Sequence, residues 1–227
     1  AALDRVDVVG EREDRLLVGG VPLHRHLGVP GVGLTVEVGD VPVHRLLRLV
    51  DVSDEVLDAA LVVELDAVTA GPVSARYDLL VKYGMTTGYA EVVLVPGRRS
   101  ITIGNVHYIQ TETEAATCTV DSTAPCAGGF NPQATSDWSI SYDFYAADAA
   151  QRLRRDAMAK VGPSLAHDES IGGLPATCVD LPLPNGTAVY CVLDDGMLAM
   201  LDDGDVRVLL TSVTDAIDNT KFVVPAG

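Results

Sequence analysis

Cys178 and Cys191 stand at equal distances from the dipeptide Pro184-Asn185, inside the turn segment Pro182-Leu183-Pro184-Asn185-Gly186. A chain that folds back there sets residues 174–181 antiparallel to residues 187–193 and brings the two cysteines nearly opposite each other, within reach of a disulfide. A second local pair, Cys118 and Cys126, brackets Thr-Val-Asp-Ser-Thr-Ala-Pro, a polar loop that a bridge would pin. Neither pair has Cys-x-x-Cys spacing, and no histidine lies near enough in sequence to complete a familiar zinc pattern. Two local disulfides place the chain in an oxidising, extracytoplasmic compartment, whether secreted, periplasmic or at a cell surface. Four buried free thiols are the competing reading.

The turn signals continue on both sides of this hairpin. Asp194-Asp195-Gly196 and Asp202-Asp203-Gly204-Asp205 separate apolar runs at 187–193, 197–201 and 206–213, which describes a meander. An earlier stretch alternates in the same manner. Tyr77, Leu79, Val81 and Tyr83 face one way and Asp78 and Lys82 the other; Thr86-Thr87-Gly88, Pro96-Gly97 and Gly104-Asn105 then mark turns between strands at 89–95, 100–103 and 106–111. Residues 114–137 read as a Ser/Thr/Ala/Gly/Pro loop carrying the first cystine.

Two segments change period. Ser53 is a candidate N-cap with Asp54 and Glu55 in the first turn, and Val56, Leu57, Ala60, Leu61, Leu65 and Val68 recur at helical spacing until Gly71-Pro72. A strand at 61–65 competes with that helix. Residues 146–161 read as a second helix, with Ala147, Ala150, Leu153, Ala157 and Met158 on one stripe, Arg152, Arg154 and Arg155 outside it, and Gly162-Pro163 as the stop.

Ahead of the first helix, Val21-Pro22-Leu23-His24-Arg25-His26-Leu27 recurs as Val41-Pro42-Val43-His44-Arg45-Leu46-Leu47. Two similar hairpins are expected there, with the prolines at strand starts or edges. Two copies are too few for a solenoid. The division that follows is an N-terminal β-hairpin extension over 1–50 and a larger domain over 52–227.

Composition narrows the partners. The chain carries 32 acidic against 16 basic residues, a formal net charge of −16. Such a surface repels phosphate backbones, so no nucleic acid and no anionic membrane face is expected as partner. Hydrophobic residues make up 48% but aromatics only 5%, so Val, Leu and Ala must fill the core. No apolar run approaches the roughly 20 residues of a membrane-spanning helix, and no transmembrane segment is expected. Ala-Ala-Leu-Asp has neither a basic n-region nor an h-region, so any export signal or anchoring segment is expected to have been removed upstream of Ala1.

Catalytic signatures are absent from the sequence: there is no Gly-x-Ser-x-Gly, no His-Glu-x-x-His and no phosphate-binding glycine loop. No catalytic residue, metal or cofactor is assigned, and the expectation is a protein that is not an enzyme. His24, His26 and His44 would suit zinc or copper if the repeats met, but each copy places an arginine beside its histidine, and solvated surface histidines are the simpler expectation. The paired Asp-Gly turns lack the spacing of a calcium loop and a closing glutamate. His107 and His167 stand isolated in sequence.

The carboxyl-terminal third, through Ile171-Gly172-Gly173-Leu174-Pro175-Ala176-Thr177-Cys178, Val189-Tyr190-Cys191-Val192-Leu193-Asp194-Asp195-Gly196-Met197-Leu198 and Lys221-Phe222-Val223-Val224-Pro225, resembles the LolA-like family of bacterial lipoprotein carriers, particularly its exported Gram-positive members. The first meander looks like that family's first sheet, and the likeness spans about residues 52–227. The resemblance implies an α+β, mainly β fold: an incomplete, curved antiparallel barrel with helices on its concave face around an apolar cavity. Relatives hold acyl chains of lipoproteins or lipids there, or use the cavity as a sensor bound to a membrane protein. Leu79, Val81, Ile101 and Ile103 are then the candidate cavity lining, a lipid or acyl chain the candidate ligand, and a protein the alternative partner. A dry core made by the same four residues stays open.

Overall fold

The computed structural model describes residues 15–16, 25–28, 35–38 and 72–225 of the 227. The chain divides into two compact units, 1–61 and 62–227. In the first, β1 (Arg15–Leu16), β2 (Arg25–Gly28) and β3 (Thr35–Val38) form a three-stranded sheet in the order β1-β3-β2. The β2–β3 pair is antiparallel and β1–β3 parallel, so the first copy pairs with the run that follows it and not, as expected, with the run that precedes it. The second repeat copy, the expected helix over 53–71, His24 and His44 lie outside the described residues.

In the second unit, Gly97 and Gly104 sit at positive φ (74° and 56°), the backbone that tight turns demand and side chains resist. Around them run β4 (Val73–Val81), β5 (Thr86–Val95), β6 (Arg98–Ile103) and β7 (Val106–Gln110), the expected first meander. Its first turn falls earlier than the sequence suggests. Gly84 and Met85 supply the positive φ (85° and 53°), so Thr86-Thr87-Gly88 belongs to β5 and Tyr83 to the turn. The expected loop at 114–137 contains regular elements: β8 (Ala115–Thr119) and β9 (Ala127–Gly128) extend the sheet, and Pro132–Trp138 is 3-10 helical. A strand that the sequence did not announce, β10 (Leu165–Ile171), precedes β11 (Leu174–Leu183), β12 (Gly186–Leu193), β13 (Leu198–Asp202) and β14 (Val206–Thr214). Its solvent-facing polar residues, Asp168, Glu169 and Ser170, hide the apolar alternation that identifies buried strands.

β14 pairs antiparallel with β4, which joins both meanders into one eleven-stranded sheet ordered β10-β11-β12-β13-β14-β4-β5-β6-β7-β8-β9. The order does not return on itself, so the barrel is incomplete. The sheet is nevertheless curved: register shifts at Cys191/Val192 and at Leu210/Ser212 bend β12 and β14. The β10–β11 turn reaches back to β14, where a Cβ on Gly172 would lie 3.6 Å from the Leu210 carbonyl oxygen.

The cross-strand rows Tyr77–Ala90–Ile103–Val106 and Ala75–Val92–Ile101–Tyr108 define one buried face. The helical segment covers it. Phe144 meets Tyr77 edge-on at 5.1 Å, and Phe130 and Tyr142 pack on Tyr108. Trp138 lies over Gly88 and Gly104, where a Cβ on Gly104 would fall 2.8 Å from the indole. α1 (Ala147–Ala159) buries Ala149, Ala150, Leu153 and Asp156. The expected stripe is thus rotated: Ala147 and Met158 are exposed, and an acid takes a buried place because Tyr190 donates to it. Arg152, expected outside, pairs with Asp148 and Asp203 and donates to the Ser139 carbonyl.

On the reverse face the tail folds across β5–β8. Phe222 is buried, Lys221 pairs with Glu91, Arg98 stacks on Phe222, and Val224 packs with Ile109, Ala116 and the cystine.

Candidate functional site

Both expected disulfides form, Cys118–Cys126 and Cys178–Cys191. The second sits where the turn symmetry placed it: Cys178 and Cys191 are register partners across a hairpin whose two linking residues are Pro184 and Asn185. Such bonds persist in oxidising compartments. Among the described residues, no helix is long and apolar enough to cross a membrane.

Leu79, Ile101 and Ile103 are buried together on the face beneath the aromatic cover. Val81 shares that face by alternation but is partly exposed at the end of β4, beside the Lys82–Met85 turn. The row that holds Ile103 and Ile101 continues along β6 to Arg99, paired with Leu94 of β5. At that end lies a cavity of about 430 Å³, bordered by Leu94, Arg99, Gln110, Asp143, Tyr145 and Ala147 among others. Its size falls in the range of small-molecule sites.

Arg99 organises this mouth. Its Nε donates to Gln110 Oε1 and its Nη1 to Asp143 Oδ1, each at 2.6 Å, while the guanidinium lies over Phe130 (4.8 Å) and Tyr142 (5.3 Å). Burial pushes the Asp143 carboxyl above its ordinary range, against the pull of Arg99. Burial likewise raises Tyr145. The mouth therefore joins an apolar wall to one desolvated ion pair, a composition suited to a ligand with an apolar body and a polar end.

A second cavity, of about 420 Å³, lies at β14-β4-β5 and is bordered by Asp78, Leu79, Leu80, Tyr89, Arg207 and Leu209 among others. Of the four residues expected to line a cavity, Leu79 borders this one, and none borders the first. Sequence reading missed Arg99 and Asp143 because a separation of 44 positions along the chain conceals their contact.

Turn and cover chemistry occupies other polar groups singled out by sequence. Asp195 Oδ1 accepts from Met197 N, and Asp203 Oδ1 from Asp205 N and Val206 N, so these carboxylates build the turns. His107 Nε2 shares a 2.7 Å hydrogen bond with Ser100 Oγ beneath the tail. Burial lowers its pKa, and the neighbouring Lys221 charge adds to that.

No family model and no curated protein matches the chain. Among solved structures it is similar to LprF from Mycobacterium bovis, at 10% identity and a TM-score of 0.40, over 77% of this chain and 99% of that one. It is also similar to MucB in complex with MucA(peri), at 9% identity and 0.42, over 75% and 60% of the two chains. MucB alone gives 10% and 0.39, over 76% and 63%.

Proposed function

We propose that this chain is an extracytoplasmic, non-enzymatic module of the LolA-like kind that binds a lipid or another hydrophobic ligand as carrier or sensor. The observation that supports this most is the cavity at Leu94, Arg99 and Tyr145, at the end of the face that carries Ile101 and Ile103. The open, curved sheet and the two disulfides fit the same reading. In it, an acyl chain lies against Leu94, Val95 and Ala146 in that cavity, and the Arg99–Asp143 pair meets the polar end. For the acyl chain to reach Leu79, Val81, Ile101 and Ile103, the aromatic cover must lift from the sheet.

Native mass spectrometry of the gently purified chain tests this, together with titration by a dansyl-labelled fatty acid. Co-purifying lipid or saturable dye binding is expected, weakened at least tenfold by Ala147→Trp, which fills the mouth from an exposed position. A clean apoprotein mass and no dye binding sink the proposal.

A second reading, a ligand-free protein-interaction module, draws support from the β4–β5 tip. Tyr83 and Met85 are 94% and 70% exposed there on a fixed turn, and large apolar side chains so presented suit a protein contact. In that case the dye does not bind, and Tyr83→Ser with Met85→Ser abolishes a protein contact without changing the fold.

A further inference from the structure

The cavity at Leu94, Arg99 and Tyr145 has more hydrogen-bond donors at its mouth than acceptors. A guanidinium carries five N–H groups. Gln110 Oε1 and Asp143 Oδ1 each take one from Arg99, and the Tyr145 hydroxyl accepts another. The rest of the Arg99 donors have no acceptor among the described residues. Gln110, with its carbonyl oxygen turned to Arg99, keeps only its amide donors for a ligand. Tyr145 has no acceptor for its own O–H among the described residues. Burial raises its pKa, so that proton stays in place.

The charges at the mouth are already balanced. Arg99 and Asp143 meet at 2.6 Å. Arg98 comes next along β6 and therefore points to the other face, where its guanidinium lies 4.6 Å from the Phe222 ring centre and donates to Asn219. Arg99 is thus the cation that faces the cavity. Further charge nearby is acidic: a Cβ on Gly97, which borders the cavity, would lie 3.4 Å from Glu112 Oε1, and Asp148 repels Asp143. Burial pushes the Asp143 carboxyl above its ordinary range even with Arg99 beside it. A second carboxylate brought to this guanidinium meets the same desolvation and the Asp143 charge as well, with no further cation to offset either. A cationic head fares no better, because it stands beside Arg99 and brings donors to a mouth that lacks acceptors.

We propose that the mouth selects an uncharged acceptor: the ligand is an acyl ester or amide whose carbonyl accepts from Arg99 and Tyr145, and Asp143 disfavours free fatty acids and other anionic heads. This rests on the lipid-binding reading above and narrows it to one class of head group. An ester keeps the lone pairs that the donors need and drops the charge that Asp143 repels.

The test is fluorescence titration of the full chain at pH 7.5 with cis-parinaric acid and with its methyl ester, which differ only in the head group. The ester should bind tighter. Any apolar site shares that preference, so the deciding quantity is the change of the ester-to-acid affinity ratio in Asp143→Asn. This variant keeps an oxygen for Arg99 and removes the anion, and the attraction then left at Arg99 should lower the ratio at least fivefold. Ala147→Lys, which adds a cation from an exposed position on the rim, should lower it too. Tyr145→Phe should weaken the ester about 2–10-fold, the usual effect of losing one hydrogen bond. Tighter binding of the acid by the parent chain, or an unchanged ratio in Asp143→Asn, overturns the head-group selection and leaves the lipid reading intact. Unchanged ester affinity in Tyr145→Phe overturns the carbonyl contact. Binding of neither probe removes the lipid reading itself.

Discussion

The Tyr190 hydroxyl donates to Asp156 Oδ2 at 2.6 Å and ties the middle of β12 to the buried face of α1. Both groups are buried, and Arg155 Nε supplies Asp156 with a second donor at 2.9 Å from a mostly exposed side chain. Burial, reinforced by the Asp156 acceptor, raises the Tyr190 pKa far above its ordinary value, so the phenol stays protonated and always donates. Tyr190→Phe leaves the carboxylate short of its better donor, and Asp156→Ala strands the phenol. Each is expected to cost about 1–3 kcal/mol. The double variant should lose less than the sum, because neither polar group then remains buried without its partner. Chemical denaturation of the four proteins checks the coupling.

Gly88 and the chain's single tryptophan form a second dependent pair. Gly88 lies in extended β5 rather than at positive φ, so Gly88→Ala reports the steric effect of a methyl group alone. That methyl would overlap the Trp138 ring and force the cover off the sheet, at an expected cost of about 1–3 kcal/mol. A shift of the tryptophan emission towards that of a solvated indole should accompany the loss. In a Trp138→Ala background the same substitution should cost little.

These pairs show where sequence reading reached its limit. Cys178 with Cys191 was legible because a two-residue turn fixes register, and register places every later residue of the hairpin. The turns at Pro96-Gly97, Gly104-Asn105, Asp194-Asp195-Gly196 and Asp202–Asp205 were legible for the same local reason, whereas that at Lys82–Met85 was not, because Met85 adopts a positive φ that its residue type does not advertise. β10 was hidden because both faces of this edge strand are largely wet, which leaves no apolar alternation to read. The Tyr190–Asp156 and Arg99–Asp143 contacts depend on tertiary packing. An aspartate on a helix stripe reads as solvated until a tyrosine from a distant strand meets it. The four residues expected to line a cavity share one strand face, where Leu79, Ile101 and Ile103 are buried and Val81 is partly exposed, and the polar mouth at the end of that face had no local signal.

The two cystines should differ in reach when removed. Cys178–Cys191 links β11 and β12, each paired on both sides, and closes a separation of 13 residues, so replacing both by Ala is expected to lower global stability by about 3 kcal/mol in the chain-entropy picture. Cys118–Cys126 closes 8 residues next to the short edge strand β9 and touches Val224 of the tail. Its removal should release β9 and the tail locally. Hydrogen exchange distinguishes the outcomes: protection should fall throughout the sheet in the first case, and in 115–129 and 222–225 in the second. Peptide mapping without reductant should return these two pairings, and a crossed pairing would contradict the register.

His107 gives the tail a dependence on pH. Its ring shares a hydrogen bond with Ser100 and is crowded by the Lys221 ammonium, while Glu91, from the neighbouring strand, pulls the other way. Burial dominates and sets the folded pKa below the ordinary 6.5. A histidine so depressed is less protonated in the folded chain than in the unfolded one. Its contribution is therefore fully present above about pH 6.5 and is lost as pH falls from there through the folded value. Asp143 acts with opposite sign: its raised pKa contributes stability that is fully present below the ordinary carboxylate value of 3.8 and is lost as pH rises from there through the folded value. Comparing His107→Gln with the parent between pH 7.5 and pH 5 isolates the histidine. The parent should lose stability on acidification and the variant should not, with Phe222 becoming accessible in the parent first. Equal slopes in the two proteins would show that protonation of this ring does not govern how tightly the tail is held.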